Sequence, residues 1–210
     1  MEDILTLYTE QQPKGHELHC FDETTKQLLD TPRGGTPCGT GKSRRLDYEY
    51  HRNGTRNLFV VVAPFVGVHN VSVTERRTAA DTAAFLWEYC MKTRRRTRHL
   101  HLVLDNLNTH TEQSLRRNFG NKKSARFFSR VTLHFTPKHA SWLNMAELEI
   151  NALKTQGLKH RIATDALLQS IVQGIVCDRN DRVATIRWRF DKTKAREKFP
   201  VLYRSETQLC

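Results

Sequence analysis

Three acidic residues stand where their settings could do chemistry. Asp105 closes the run His99-Leu100-His101-Leu102-Val103-Leu104 and is followed by Asn106, a pair that favours turns. An apolar run of this length suits a buried strand. Asp105 is therefore expected at the carboxyl end of a core strand, the edge where open α/β sheets place their ligands. Asp22 closes a second such run, Leu18 to Phe21. Glu147 follows a third, Val131 to Phe135, through Thr136-Pro137-Lys138-His139-Ala140-Ser141-Trp142-Leu143-Asn144. Any one of these acids could be a simple strand cap. Three acids on separate core elements can meet only in the fold, and their natural use is to hold divalent metal. Mg²⁺ keeps most of its waters and accepts a few carboxylates plus phosphate oxygens. Two such ions can clamp the attacking and leaving oxygens of an in-line displacement.

The elements that must position these acids can be read in chain order. Residues 2–10 carry Ile4, Leu5 and Tyr8 on one helical face. Residues 17–22 read as the first core strand, ending at Asp22, with Gln27-Leu28-Leu29 as a short second one. Glu23, beside Asp22, is expected to point the other way and is not counted as catalytic. Residues 30–45 form a basic loop containing Gly41-Lys42-Ser43. A phosphate-binding P-loop needs glycine at position 36, which is Thr, so a nucleotide hydrolase is set aside. Leu46 to Arg52 and Leu58 to Ala63 read as strands joined by a hairpin turn at Asn53-Gly54, and Val68 to Thr74 pairs after Gly67. Thr78 to Met91 is a helix capped by Thr78 and Asp81, with Trp87 in the core. Helices are expected from about Thr111 to Phe119, over 125–130, from about Ser141 to Leu158, over 164–178 and over 191–199. Residues 184–190 alternate and could pair or dock. This order fits a mixed sheet flanked by helices.

Asp-Asn-x-x-x-His at 105–110, followed by Thr-Pro-Lys-His-x-Ser-Trp-Leu-Asn-x-x-Glu at 136–147, resembles the bacterial insertion-sequence branch of the mariner superfamily of transposases. The resemblance extends through Cys20-Phe21-Asp22-Glu23, through Asp47 to Thr55, and through Ala184 to Phe190. It implies an α/β, ribonuclease-H-like catalytic domain over 1–160 with a C-terminal helical appendage, 161–210, packed on it. It also implies that Asp22, Asp105 and Glu147 are the catalytic, metal-holding acids, served by two Mg²⁺ or Mn²⁺ ions. Cleavage at the ends of a mobile element would free a 3′-hydroxyl that attacks target DNA. Asn106, His110, His139, Trp142 and Asn144 are then expected to orient the acids or touch DNA; a turn, a cap or core packing are the plainer readings. Relatives are tighter between the second and third acids than the 41 residues found here, and the extra length falls in 111–130. They also carry helix-turn-helix modules upstream, whereas 21 residues precede Asp22. The expectation is a catalytic core whose recognition module is separate. The alternative is an inactive remnant that only binds DNA or dimerises.

Charge points the same way. The formal net charge is +12. Residues 1–30 carry a net −5, and residues 91–130 carry +9. Arg94, Arg95, Arg96, Arg98, Lys122 and Lys123 are the candidate DNA-binding side chains, close in sequence to Asp105, and the partner implied is double-stranded DNA, element ends and target. A homodimer on DNA is expected. The five cysteines are scattered without any C-x-x-C, which suits a reducing, cytoplasmic setting, nucleoid-associated when DNA is bound. No apolar run reaches about 18 residues, so no membrane partner is expected. One rivalry remains. On a helix over 142–158, Leu143, Ala146, Ile150 and Leu153 make the core stripe, and Glu147 and Glu149 flank it on opposite sides. Asn144 and Asn151 share the flank of Glu147, which favours it over Glu149.

Overall fold

The computed structural model describes residues 1–32, 35–36, 38–43, 45–46 and 48–200. Parts of the basic loop, Asp47 and the tail 201–210 lie outside the described residues. The strands are β1 (His16–Asp30), β2 (Gly35–Thr36), β3 (Arg45–Leu46), β4 (His51–Ala63), β5 (Val68–Thr74), β6 (His99–Leu104) and β7 (Val131–Phe135). The helices are α1 (Glu2–Thr9), α2 (Ala79–Trp87), α3 (Glu112–Phe128), α4 (Ala146–Leu153), α5 (Asp165–Asp181) and α6 (Lys192–Lys198). Five strands form one sheet in the order β5-β4-β1-β6-β7, and β2 and β3 form a separate small pair. β4 runs antiparallel to both β1 and β5, while β1, β6 and β7 are mutually parallel. The expected mixed sheet flanked by helices is what forms.

Alternation along each strand divides the core between two faces. Phe21, Phe59, Val61, Leu100, Leu102 and Leu104 face one side, where Ala83 and Leu86 of α2 and Leu115 and Phe127 of α3 cover them. Leu18, Cys20, Val62 and Val103 face the other, against Ile4 and Leu5 of α1, Leu143 to Ala146, and Ala195 of α6. Leu58 and Val60 continue that second face under Ile150 and Leu153 of α4 and Leu168, Val172 and Val176 of α5. The expected capping box forms at α2: Thr78 Oγ1 accepts from the Asp81 N–H, and Asp81 accepts from the Thr78 N–H. Such a cap is worth about 1 kcal/mol.

Two expectations fail here for one reason. β1 does not stop at Asp22 but continues to Asp30, and Asn53-Gly54 is not a turn but lies inside β4. Opposite Leu28 the partner strand carries two residues, Asn53 and Gly54, since Gln27 pairs Thr55 and Leu29 pairs Arg52. This is a β-bulge, and Gly54 sits at φ 92°, the left-handed backbone a bulge glycine supplies. The same residues that make tight hairpins thus let a long ladder bend. The other antiparallel pairing, β4 with β5, matches the expected ribbon. Within 111–130, α3 runs as two helical pieces that break at Gly120 (φ 71°, ψ 171°), close to the gap expected between Phe119 and residue 125. Residues 184–190 form no strand and dock through the Ile186 N–H on the Pro64 carbonyl, 2.8 Å. Gly41-Lys42-Ser43 is followed by no helix among the described residues, as the failed P-loop spacing requires.

Candidate functional site

The strand register places the first two acids side by side. The parallel ladder of β1 and β6 ends at the pair Cys20–Val103. Asp22 and Asp105 each follow two residues later, on the face shared by Cys20 and Val103, where neighbouring strands lie about 4.8 Å apart. Asp105 is thus at a strand end as expected. Asp22 is mid-strand, but at the point where one of its two neighbours leaves. The third acid arrives on α4. Asn144, buried, donates from its amide to the Phe21 carbonyl at 2.7 Å and accepts from the Ala146 N–H at 3.1 Å. One side chain therefore pins the start of α4 to β1 one residue before Asp22, and Glu147 follows in the first turn. Asp22, Asp105 and Glu147 line one cavity of about 420 Å³ together with Glu23, Thr24, Ser141, Ile150, Asn151 and Lys154.

The electrostatics of this cavity are unfavourable to its own acids. The Asp22 carboxyl is pushed up to about 6, first by burial and then by the charges of Asp105 and Glu147; the Glu23 N–H on its Oδ1 (2.7 Å) pulls the other way. Asp105 Oδ1 is held by His110 Nδ1 at 2.5 Å, and His110 is fully buried edge-on against Phe21. Each aspartate thus has one oxygen fixed. Among the described residues, the second oxygen of each and both oxygens of Glu147 make no hydrogen bond. These are hard oxygen donors crowded into repulsion, the setting in which a divalent cation relieves strain. As placed, no three His, Cys, Asp or Glu side chains among the described residues converge on a single ion position. The donor chemistry fits such an ion, and the long Glu147 side chain is the one free to close the set.

Glu149 has a different fate from Glu147. It is fully buried, with both oxygens held by Arg179 (Nε to Oε1 2.9 Å, Nη2 to Oε2 2.8 Å) and with His69 Nδ1 2.9 Å from Oε2. It ties α4 to α5 and β5 and faces away from the cavity. The other expected residues scatter. Asn106 is exposed beyond β6. His139, at φ 63°, and Trp142, 40% exposed, line a separate cavity with Pro137, Lys138 and Phe199, and Trp142 packs edge-on to Phe190. Lys122 and Lys123 are exposed on α3, with Lys123 Nζ 5.4 Å from the Trp87 ring centre. Lys154 and Ser141 had no signal of their own in the sequence. Lys154 reaches the cavity because it lies seven residues, two helical turns, beyond Glu147.

The arginine run does not lie beside the carboxylates. It enters β6, whereas Asp105 leaves it, and six strand residues at about 3.3 Å each put about 20 Å between them. Arg94 is consumed there: it pairs with Glu17, which also accepts from Thr97 at 2.8 Å and from His19 Nε2 at 3.0 Å. Those partners hold the Glu17 carboxyl down at about 2, His19 contributing most. Arg130 Nη2 donates to the carbonyls of Arg94, Arg95 and Thr97 (3.0, 3.1 and 2.6 Å), fixing the loop from which exposed Arg95, Arg96 and Arg98 project.

Comparison with known proteins places this geometry. The pattern of the family described as DDE superfamily endonuclease matches residues 17–168. No curated protein matches the chain. Among solved structures, the Mos1 strand transfer complex aligns at TM-score 0.53 and 14% identity, over 90% of this chain and 60% of that one. This likeness shows a ribonuclease-H-like fold. The simian T-cell lymphotropic virus intasome aligns at TM-score 0.48 and 17% identity over 78% and 52%, and the catalytic core domain of BIV integrase at 0.45 and 13% over 76% and 81%. The chain spans about half the length of the intasome chain and three fifths of the Mos1 one. Among the described residues, no helix is long and apolar enough to cross a membrane.

Proposed function

The chain belongs to the DDE superfamily endonucleases, and from that premise we propose that Asp22, Asp105 and Glu147 are the acids of a transposase core acting on the ends of an insertion sequence of mariner type. The observation that carries this reading is the convergence of the three on one cavity, where burial and then the charges of Asp105 and Glu147 push Asp22 up to about 6. Two divalent ions, Mg²⁺ or Mn²⁺, would supply charge neutralisation at the attacking and leaving oxygens of an in-line displacement. The residues supply the rest. Asp22 and Asp105, each held by one oxygen, present the other from adjacent strands, and Glu147 closes the set from α4. Lys154, two turns along the same helix flank, meets a phosphate of the bound strand. Hydrolysis and strand transfer both bring a hydroxyl oxygen to a phosphodiester, so one cavity serves both.

Arg95, Arg96 and Arg98 would meet duplex DNA about 20 Å from the cavity, about six base pairs along the helix. Lys122 and Lys123 would add phosphate contacts from α3. Arg94 is left out of this set because Glu17 has already neutralised it. The same reading makes a homodimer on DNA the working unit.

The test is Mg²⁺-dependent nicking of duplex DNA carrying the element's ends. Wild type is expected to nick, and Asp22→Asn, Asp105→Asn and Glu147→Gln to be inert while remaining folded. Normal nicking by all three variants would reject the reading.

A further inference from the structure

At the edge of the cavity two buried polar atoms lack partners. One is Oε2 of Glu23, whose side chain is 6% exposed; the other is Nε2 of His110, whose side chain is 0% exposed. A buried polar atom without a partner costs about 1–3 kcal/mol, so two on one site need a reason. Their placement supplies it. Phe21 and Glu23 are neighbours on one face of β1. The His110 ring packs edge-on against Phe21, 5.1 Å between ring centres, on that same face. Glu23 and His110 act on each other electrostatically, and Glu23 also feels Asp105. The other nitrogen of His110 holds Asp105. The far oxygen of Glu23, Oε1, is 3.6 Å from Arg77 Nη1, which is half exposed. An interrupted line of charge thus runs from Arg77 through Glu23 and His110 to Asp105.

We infer that Glu23 is a positioning residue for Asp105, acting through His110: its carboxylate, beyond ion-pair distance, acts by charge on the imidazole whose Nδ1 orients the Asp105 carboxylate. This rests on the proposed metal-holding role of Asp105. A ring anchored at one nitrogen can swing about its side-chain bonds. Biased also by the charge of Glu23, it fixes one oxygen of Asp105 and leaves the other free for the cavity. Such partners of a metal-holding group typically matter by 10- to 100-fold in metal affinity. Arg77 holds Glu23 only at its solvent end and contributes little.

Two measurements on the full chain test this. The first needs no metal: the ring ¹⁵N resonances of His110 in wild type, Glu23→Gln and Arg77→Ala. Glu23→Gln is expected to move the Nε2 resonance and Arg77→Ala to leave it. An unmoved Nε2 signal in a folded Glu23→Gln protein overturns the inference, whether or not the chain proves to be a nuclease. The second is Ca²⁺ affinity by calorimetry. Glu23→Gln and His110→Gln should each weaken binding about tenfold, with the double variant no weaker than either single one, because both cut the same line. Losses that multiply, or a Glu23→Gln protein within twofold of wild type, overturn it. If wild type binds no Ca²⁺, the proposed function fails, and the resonance shift still decides whether Glu23 acts on His110.

Discussion

Glu17 and Asp22 lie five residues apart on β1, and the protein treats them oppositely. Glu17, at the amino end, is saturated by Arg94, Thr97 and His19, and its carboxyl is held down at about 2. Asp22, where β6 leaves the ladder, is buried beside two more acids and is pushed up to about 6. Glu149 and Glu147 repeat the contrast two residues apart on α4: one is locked between Arg179 and His69, the other has free oxygens at the cavity. A carboxylate with every oxygen engaged stabilises the fold and has nothing left to offer a ligand. One held at an energetic cost, with an oxygen spare, is available for a cation. The end of the sheet carrying Glu17 is finished as a structure, and the end carrying Asp22 is completed only by what binds there.

The strongest way to break this comparison is to exchange the fates of the α4 glutamates. Glu147→Gln should cost nicking a thousandfold or more, about 4 kcal/mol of barrier, and leave the melting temperature within a degree or two. Glu149→Gln should do the reverse in kind. Removing one partner of a buried ion pair leaves Arg179 uncompensated and costs about 3–5 kcal/mol of stability. Urea titration and nicking of both variants separate the two losses. A stable Glu149→Gln protein that cannot cut would reverse the assignment. Asn144→Ala comes next. It strands the Phe21 carbonyl and the Ala146 N–H, for about 1–3 kcal/mol. Because it frees the start of α4 from β1, nicking should fall further than stability alone explains.

A smaller effect sharpens the cavity's side of the contrast. A cation must displace the proton that Asp22 keeps up to about 6, so its binding should strengthen as pH rises through that value. Ca²⁺ should raise the melting temperature clearly at pH 7.5 and much less at pH 5. In Asp22→Asn that pH dependence should be gone. Equal shifts at both pH values would separate the cation from Asp22.

How much of this was legible beforehand depends on the kind of pattern. The apolar runs ending at Asp105 and preceding Glu147 announced their strands because alternation and length are local properties. Ala146, Ile150 and Leu153 are buried as helical spacing requires and set the two glutamates on opposite flanks; Leu143 is buried too, but in a 3-10 turn, because the helix expected from about Ser141 starts only at Ala146. What failed was context. Asn53-Gly54 has the same local preference for positive φ in a hairpin and in a bulge, and only the partner strand decides. Asp22 looked like a strand end because the apolar run stopped, yet the backbone continues with polar residues paired to β4. The arginine run was close to Asp105 in sequence, but a strand carries six residues to its far end, so closeness along the chain became distance in space. The partners of Glu149 lie on β5 and α5, beyond any reading of α4 alone.

The last prediction concerns the finished end of the sheet. His16, His101 and His134 line up across β1, β6 and β7, with ring nitrogens 3.2 Å apart between the first two and 3.1 Å between the last two; His134 reaches Asp3 of α1 at 3.2 Å. His134 Nδ1–H donates to the carboxylate, so its Nε2 accepts from His101, and His101 Nε2 in turn accepts from His16. The row is consistent when every ring is neutral. Burial first, then the charges of His134, His99 and His16, pull His101 down to about 4, with only Asp3 opposing; His99 is lowered too, mainly by burial and His16. The sign follows from the direction. A histidine depressed in the folded state binds fewer protons there than in the unfolded chain, where it titrates near 6.5. Its contribution is complete above that value and is lost as pH falls toward about 4. Asp22 works against it, since a carboxyl raised to about 6 gives stability below 3.8 that is lost as pH rises through 6. Glu17 stays ionised until about 2; its stabilisation is complete above its ordinary value near 4.5, so it adds no slope there. The window is therefore pH 6.5 to 4.5 in the Asp22→Asn background, where Glu23, raised by burial, opposes the histidines equally with and without His101. There the unfolding free energy should decline as pH falls. Adding His101→Gln should flatten the decline, even if it lowers stability at pH 7. An undiminished slope in the double variant would move the acid sensitivity to buried His19, also lowered by burial, and away from the row that links α1 to the sheet.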